Sequence, residues 1–292
     1  ISEHGIYTRE REEELIKADW VKGVYKNIWI EQFKKMSFLA YEKADIVTCL
    51  YERAKSLQIE LGCPEEKIRV TPNGIRADTF EGIPGKTEDD AQYINAGAVL
   101  RVTPIKDVKT MIQAFAFAKK SVPELKLWIM GPTDEDKAYA QECFELVKAL
   151  EVEDVEFTGR VNVKDYLGKM DFTLLTSISE GQPLTILESY AAHKPVIATD
   201  VGNCQELIYG NDDGFGPAGI LTHIMNIEEI AQAMITMSED QEERERMGEA
   251  GYKRVNAFYR IEQMKDVYRG IYRELSDRQK LDWTEEPFQI RR

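Results

Sequence analysis

The sequence predicts an α/β protein of two Rossmann-like units, the first of them incomplete. Three observations predict it. Short apolar or β-branched runs alternate with helical patterns along most of the chain, an order that yields parallel sheets. The alternation breaks at Pro72-Asn73-Gly74, a turn signal that divides it in two. The opening Ile1-Ser2-Glu3-His4-Gly5 has neither a Met start nor a signal-peptide charge pattern, and it reads as the end of a strand already inside a domain. The chain is therefore expected to begin part-way through its first unit.

In that unit a charged, helix-biased stretch covers residues 9–17. A second helical pattern follows, carried by Ile30, Phe33, Met36, Ser37, Ala40 and Tyr41. Residues 44–50 form a buried-strand run. Residues 51–61 return to helix with Ala54, Leu57 and Leu61 on one side; Gly62 and Pro64 stop it, and 67–71 is another short strand. Residues 80–91, rich in Gly, Pro and acid, read as a linker. Six strands are then expected, at 93–98, 126–130, 155–158, 172–175, 195–198 and 218–221. Helical patterns such as Val108, Met111, Ile112, Phe115 and Tyr139, Cys143, Val147, Leu150 separate them, which makes a doubly wound domain. From Ile227 the chain reads as helix, ending in a charged tail from Arg278. The acidic run 239–249 reads as a solvated face. Phe258, Tyr259, Tyr268 and Tyr272 read as the packing side of one helix.

Composition narrows the function. A chain of 292 residues, 43% hydrophobic and 31% charged, is globular and long enough for about two domains. No apolar run is long enough for a membrane-spanning helix. A net charge of −14 argues against nucleic acid as a partner, although a local basic pocket can still hold a phosphate. Cys49, Cys63, Cys143 and Cys204 form no CxxC pair, and the histidines are only His4, His193 and His223. Neither a zinc site nor a disulfide framework is expected, and a reducing cytoplasm suits such a chain.

Ligands of doubly wound sheets bind beyond the carboxyl ends of the strands, so the loops there carry the chemistry. The loop after the first strand of the second unit, Gly97 through Asp107, has no GxGxxG. It carries two cations, Arg101 and Lys106, at the start of a helix, which suit either a pyrophosphate or ordinary surface solvation. The loop from Ser177 is richer. Gly181 allows close backbone approach, Pro183 suits the first helical turn because its missing N–H costs nothing there, and the free amides around Gln182 to Leu184 can hold a phosphate or sugar hydroxyl. Glu180 precedes that helix. Glu188 lies within it, beside a packing face of Leu184, Leu187 and Ala191, where a carboxylate wants a hydroxyl partner. Asp134-Glu135-Asp136 spells a DxD metal motif. It follows Gly131-Pro132-Thr133 at a helix start, where acids suit the macrodipole, and no metal site is expected there. Asp171 and Asp200 read as strand-boundary residues.

Glu180 and Glu188, with seven residues between them, resemble the E-x7-E motif of retaining glycosyltransferases of family 4, which have the GT-B fold. Arg101 and Lys106 resemble that family's basic pair on the donor diphosphate. Thr158-Gly159-Arg160-Val161 resembles its base-reading turn, and Pro72-Asn73-Gly74-Ile75 its interdomain crossing. The resemblance implies residues 1–72 as the end of the acceptor domain, 73–260 as the nucleotide-sugar donor domain, and 261–292 as a crossing helix and tail. It implies that Arg101 and Lys106 neutralise the departing diphosphate and that Glu180 contacts the donor sugar. Glu188 would bind the ribose, with Arg160, Val161, Gly181, Gln182, Pro183 and Leu184 completing the donor site. His4 matches a family histidine that faces the donor sugar; a hydrogen-bonded strand-end histidine is the alternative. The implied substrate is a UDP-linked sugar and the implied acceptor a growing polysaccharide, in exopolysaccharide synthesis. No metal or other cofactor is implied, and the place is the cytoplasm, peripheral to an inner-membrane synthesis complex. Two rival readings stand beside this one: a nucleotide-sugar epimerase, and a non-catalytic nucleotide-binding subunit.

Overall fold

The structure, a computed structural model, describes residues 1–5 and 23–279. The helix-biased stretch 9–17 and the tail beyond Gln279 lie outside the described residues. The chain divides into two compact units, Asn73–Arg260 and Ile1–Pro72 with Ile261–Arg292.

The first unit is built from α1 (Gly23–Lys43), β1 (Val47–Cys49), α2 (Glu52–Glu60), β2 (Ile68–Val70) and α10 (Ile261–Gln279). β1 and β2 pair in parallel, Val47 opposite Ile68, and Ser2 bridges Thr48 in parallel. Tyr41, Val47, Leu50, Ala54 and Ile68 form its core. The helical face expected for α1 is only half used: Ile30 and Tyr41 are buried, but Met36 is 54% exposed.

The second unit holds β3 (Ile94–Val99), α3 (Val108–Ala118), β4 (Leu125–Met130), α4 (Lys137–Ala149), β5 (Val155–Gly159), α5 (Lys164–Leu167), β6 (Phe172–Leu175), α6 (Leu184–Ala191), β7 (Val196–Thr199), α7 (Cys204–Tyr209), β8 (Gly219–Thr222), α8 (Ile227–Glu239) and α9 (Gln241–Phe258). All six strands are parallel, in the order β5-β4-β3-β6-β7-β8. The chain fills one half of the sheet outward from β3, returns to the centre at β6, and fills the other half outward. The boundary between β3 and β6, where the chain turns from one half of the sheet to the other, is the topological switch point of such sheets.

Strands covered on both faces read as near-continuous apolar runs, and all four residues of β6 and of β7 are buried. On one face Met111 and Phe115 of α3 pack with Ile230 and Met234 of α8 over Leu127. On the other, Leu187 and Tyr190 of α6, Leu207 of α7 and Val255 of α9 pack beneath Leu175. Each such side chain contributes about 1.5–3 kcal/mol by leaving water. Asn226 and Asp240 start α8 and α9 by accepting the Glu229 and Glu243 amides at 3.1 and 2.9 Å. Asp171 ties the strand entrances together, its carboxylate accepting the Asn95 amide at 2.7 Å and pairing Lys86 at 2.5 Å. Among the described residues no helix is long and apolar enough to cross a membrane.

Two expectations need correction. Residues 80–91 are not a free linker: Phe80 is 7% exposed in the core with Leu167 and Ile186, and Ile83 packs against the same cluster, so two apolar anchors hold the segment down. Phe258, Tyr259, Tyr268 and Tyr272 do not share one helix either. α9 ends at Phe258, because Tyr259 (φ −128°, ψ 31°) leaves helical geometry, and α10 starts at Ile261. Tyr259 is buried, whereas Phe258 and Tyr272 are 50% and 67% exposed.

Candidate functional site

Two glycines and a hydroxyl explain how the loops at the switch point hold together. The loop after β3 continues the sheet's pairing: Leu100 donates to the Met130 carbonyl at 3.0 Å and Val102 to the Pro132 carbonyl at 3.0 Å. That register needs Gly131, at φ 147°, because a Cβ there would lie 1.8 Å from the Leu100 carbonyl oxygen. Residues Pro104–Lys106 then form a single 3-10 turn, closed by Asp107 in the left-handed region (φ 46°, ψ 50°). Thr176, just past β6, donates its hydroxyl to the Lys106 carbonyl at 2.9 Å, and the Ile178 amide donates to the Ile105 carbonyl at 2.9 Å. On its far side the β6 loop leans on the turn after β7. Asn203 donates to the Gly181 carbonyl at 2.8 Å, and a Cβ on Gly202 would lie 2.2 Å from that oxygen.

Wedged in this way, the β6 loop delivers Glu180 to Lys106. Lys106 Nζ lies 2.5 Å from Glu180 Oε1, with only 17% and 13% of the two side chains exposed. The other cations of the site are paired more openly. Arg101, 58% exposed, donates to Glu135 at 3.0 Å; Arg160, 70% exposed, faces Asp134 at 3.7 Å and Glu135 at 3.9 Å. Exposed pairs of this kind are worth about 0–1 kcal/mol, so an incoming anion displaces them at little cost. The acidic triplet divides its work: Asp134 and Glu135 hold these arginines, while Asp136 caps α4 by accepting the Tyr139 amide at 3.0 Å.

α6 starts at Leu184, with Pro183 (φ −71°, ψ 114°) one position earlier than the first helical turn, as the N-cap. Its packing face is Ile186, Leu187, Tyr190 and Ala191. Leu184, expected on that face, is 45% exposed because it opens the first turn. Glu188 is half-buried, and burial pushes its carboxyl above the ordinary value, with the nearby Lys164 ammonium pulling the other way. A carboxyl in that position gains by meeting a hydroxyl. Val161 is half-buried just after β5, which ends at Gly159 with φ 67°.

Gln182 was expected to serve through its backbone. Its side chain is 6% exposed and turned elsewhere: Oε1 accepts the Asn73 amide at 2.7 Å. Four buried polar atoms around these loops have no hydrogen-bond partner among the described residues: Asp107 Oδ2, Ser177 Oγ, Gln182 Nε2 and Asn203 Oδ1. His4 belongs to the other unit and is exposed. Its neighbour Glu3 is fixed, accepting the Tyr41 hydroxyl at 2.8 Å and the Gln58 amide at 2.7 Å. Sequence reasoning gave no site role to Thr176, Gly202 or Asn203, which hold the loops of the candidate site. Of these only Gly202, a glycine directly beyond a strand end, left a readable signal.

Residues 79–254 match the family described as Glycosyl transferases group 1, and residues 1–66 match a domain of unknown function, DUF3492. The chain is similar to N-acetyl-alpha-D-glucosaminyl L-malate synthase of Bacillus anthracis, with 29% identity over 241 residues, covering 79% of this chain and 60% of that protein. It is also similar to alpha-monoglucosyldiacylglycerol synthase of Streptococcus pneumoniae, with 32% identity over 168 residues, covering 53% of this chain and 37% of that one. The chain thus spans less than two thirds of each of these relatives, 60% and 37%. Among solved structures it resembles Anabaena HepE in complex with UDP and glucose, with a TM-score of 0.72 at 20% identity, covering 94% of this chain and 70% of that one. That likeness carries the fold, the parallel-sheet α/β architecture of GT-B glycosyltransferases, of which this chain covers part.

Proposed function

The chain belongs to the Glycosyl transferases group 1 family, and from that premise we propose that it moves a sugar from UDP to a growing exopolysaccharide with retention of anomeric configuration. The observation that carries the reading is the half-buried Lys106–Glu180 pair at the switch point; Arg101 and Arg160, also in loops beyond strand ends, are held only by exposed acidic partners.

The chemistry demanded of such a site is charge stabilisation. When the bond from the anomeric carbon to the diphosphate oxygen breaks, negative charge builds on the leaving group, and fixed cations in a poorly hydrated crevice stabilise it as it forms. Lys106 is the cation already drawn out of water, so it takes the larger share. Arg101, with a planar fork of donors, takes the second phosphate oxygen. Glu180, released from Lys106 as the diphosphate arrives, turns its carboxylate to the donor sugar. Glu188 accepts from the ribose hydroxyls, and the amides of Gly181, Gln182 and Leu184, with the turn at Arg160 and Val161, hold the remainder. Neutralisation by side-chain cations makes a metal ion unnecessary.

The acceptor class rests on sequence likeness. Glu3-His4-Gly5-Ile6-Tyr7-Thr8-Arg9-Glu10-Arg11, Leu100 through Asp107, Gly131-Pro132-Thr133-Asp134-Glu135-Asp136 and Ser179-Glu180-Gly181-Gln182-Pro183 resemble the glycosyltransferase of bacterial Pel exopolysaccharide synthesis. Such an enzyme works in the cytoplasm beside a membrane-bound synthesis complex. The two relatives compared act on unlike acceptors by name, which fits a shared donor half and a divergent acceptor half.

The test is a thermal-shift screen of nucleoside diphosphates and their sugars in excess EDTA, since a ligand that binds only the folded state raises its stability. UDP and a UDP-sugar raise the midpoint with EDTA present. A shift that requires Mn²⁺ or Mg²⁺ and is lost on replacing Asp134 and Asp136 by Ala would overturn the metal-free reading.

A further inference from the structure

The 176–183 loop and the points at which the chain enters and leaves the Asn73–Arg260 unit are joined by one side chain. Asn73 is the first residue of the unit, and its amide donates to Gln182 Oε1 at 2.7 Å. Two residues on, the Ile75 amide donates to the Tyr259 carbonyl at 2.9 Å, and Ile75 forms a parallel bridge with Arg260, the last residue of the unit. The entering and leaving segments are therefore bonded to each other, and Gln182 bonds them to the loop that carries Glu180.

Gln182 is 6% exposed, and while its Oε1 takes the Asn73 amide, its Nε2 has no partner among the described residues. The cost of burying those unpaired donors offsets much of what the one hydrogen bond contributes to stability. Its distinctive contribution is geometric: it ties the position of one loop to the position of another segment. The loop itself has little freedom to move without carrying Gln182 along. Asn203 holds the Gly181 carbonyl at 2.8 Å, and Gly202 lies directly beneath Glu180 and Gly181.

We propose that Gln182 is a positioning residue that transmits occupancy of the Glu180 loop to the entering and leaving segments at Asn73, Ile75 and Arg260. The proposal rests on the donor reading above. When a diphosphate takes Lys106 from Glu180, the loop resettles. Gln182 carries the change to the Asn73 amide, and the Ile75–Tyr259 bond carries it to the exit segment.

Hydrogen exchange of the full chain, with and without UDP at concentrations that saturate each variant, tests this. In the unsubstituted chain, UDP slows exchange at the Asn73 and Ile75 amides by roughly tenfold. Gln182→Glu keeps an acceptor for the Asn73 amide and responds in the same way. Gln182→Met, similar in length but without an acceptor, binds UDP and leaves exchange at these amides unchanged. UDP binding by the unsubstituted chain without any change at Asn73 and Ile75 would overturn the proposal, as would a full response in Gln182→Met. If Gln182→Met fails to fold, the unsubstituted chain still tests the proposal: slowing at Asn73 and Ile75 no greater than at amides throughout the unit would overturn it, because ligand stabilisation alone gives that. Failure of UDP to bind at all is a separate outcome, because it removes the donor reading itself.

Discussion

Replacing Glu180 by Gln removes a carboxylate from the proposed catalytic centre, and the structure implies that UDP then binds more tightly. In the free protein Lys106 is held by Glu180 at 2.5 Å, with the two side chains 17% and 13% exposed. A diphosphate must take the ammonium from that partner and then sit beside the carboxylate it displaced. Both effects oppose binding, and both vanish in Glu180→Gln. The pair lies between an exposed ion pair, worth about 0–1 kcal/mol, and a fully buried one, whose breaking costs about 3–5 kcal/mol. Taking about 1–2 kcal/mol as the part recovered, affinity for UDP rises roughly 5–30-fold. Sugar transfer falls in the same variant, since the group proposed to meet the donor sugar is lost. The assay is calorimetric titration with UDP in a double-mutant cycle with Lys106→Met. If the carboxylate acts by occupying Lys106, Glu180→Gln changes UDP affinity little once Lys106 is gone. Unchanged or weaker UDP binding in the single variant Glu180→Gln would refute the competition between Glu180 and the diphosphate.

Glu188 gives a pH signature. Burial raises its carboxyl pKa, so the folded protein holds that proton more tightly than the unfolded chain. The stability so gained is present below the unfolded pKa and is lost as pH rises through the folded one. Ribose hydroxyls that donate to the carboxylate favour its charged form, so UDP binding near and below the raised pKa releases a proton. Glu188→Gln abolishes that share of the release, measured as the dependence of calorimetric heat on buffer ionisation enthalpy; equal release in both proteins contradicts the ribose assignment. A second prediction concerns stability alone. Arg254, 1% exposed, holds Asp213 at 2.6 and 3.0 Å and donates to the Leu207, Ile208 and Gly216 carbonyls, fastening the 210–217 loop to α9. Asp213→Asn leaves that guanidinium without its charge partner and costs about 3–5 kcal/mol in denaturant unfolding. Arg254 also holds the Asp213 carboxyl below its ordinary value, so in the unsubstituted protein this stability is present above the unfolded pKa and is lost as pH falls through the folded one.

The second unit was legible because its central strands are covered on both faces. Runs such as residues 172–175 and 126–130 stand out from any helical period, and the observed strands differ from the expected ones by about a residue at each end. The site was legible as separate residues, because Arg101, Lys106, Glu180 and Glu188 all fall in or just after loops beyond strand ends. Their pairing was not. Lys106 meets Glu180 through Thr176 and a left-handed Asp107, and no pattern along the chain announces either. Arg101 meets Glu135 because Gly131 lets the β3 and β4 loops run side by side, a contact between residues 34 apart in sequence. The side chain of Gln182 was unreadable for a similar reason: its partner, the Asn73 amide, lies 109 residues away. Segment 80–91 misled because its composition is that of a loop, while Phe80 alone is enough to bury its start.

The central claim is that Lys106 holds the diphosphate of a nucleotide. Calorimetric titration of Lys106→Ala with UDP and with uridine tests it most directly. Removing one member of a desolvated charged contact costs about 2–5 kcal/mol, so UDP binding weakens by at least an order of magnitude. Uridine, which carries no phosphate, binds the variant and the unsubstituted chain alike. Equal losses for both ligands would contradict the account, because Lys106 would then support the nucleoside pocket or the fold and not the diphosphate.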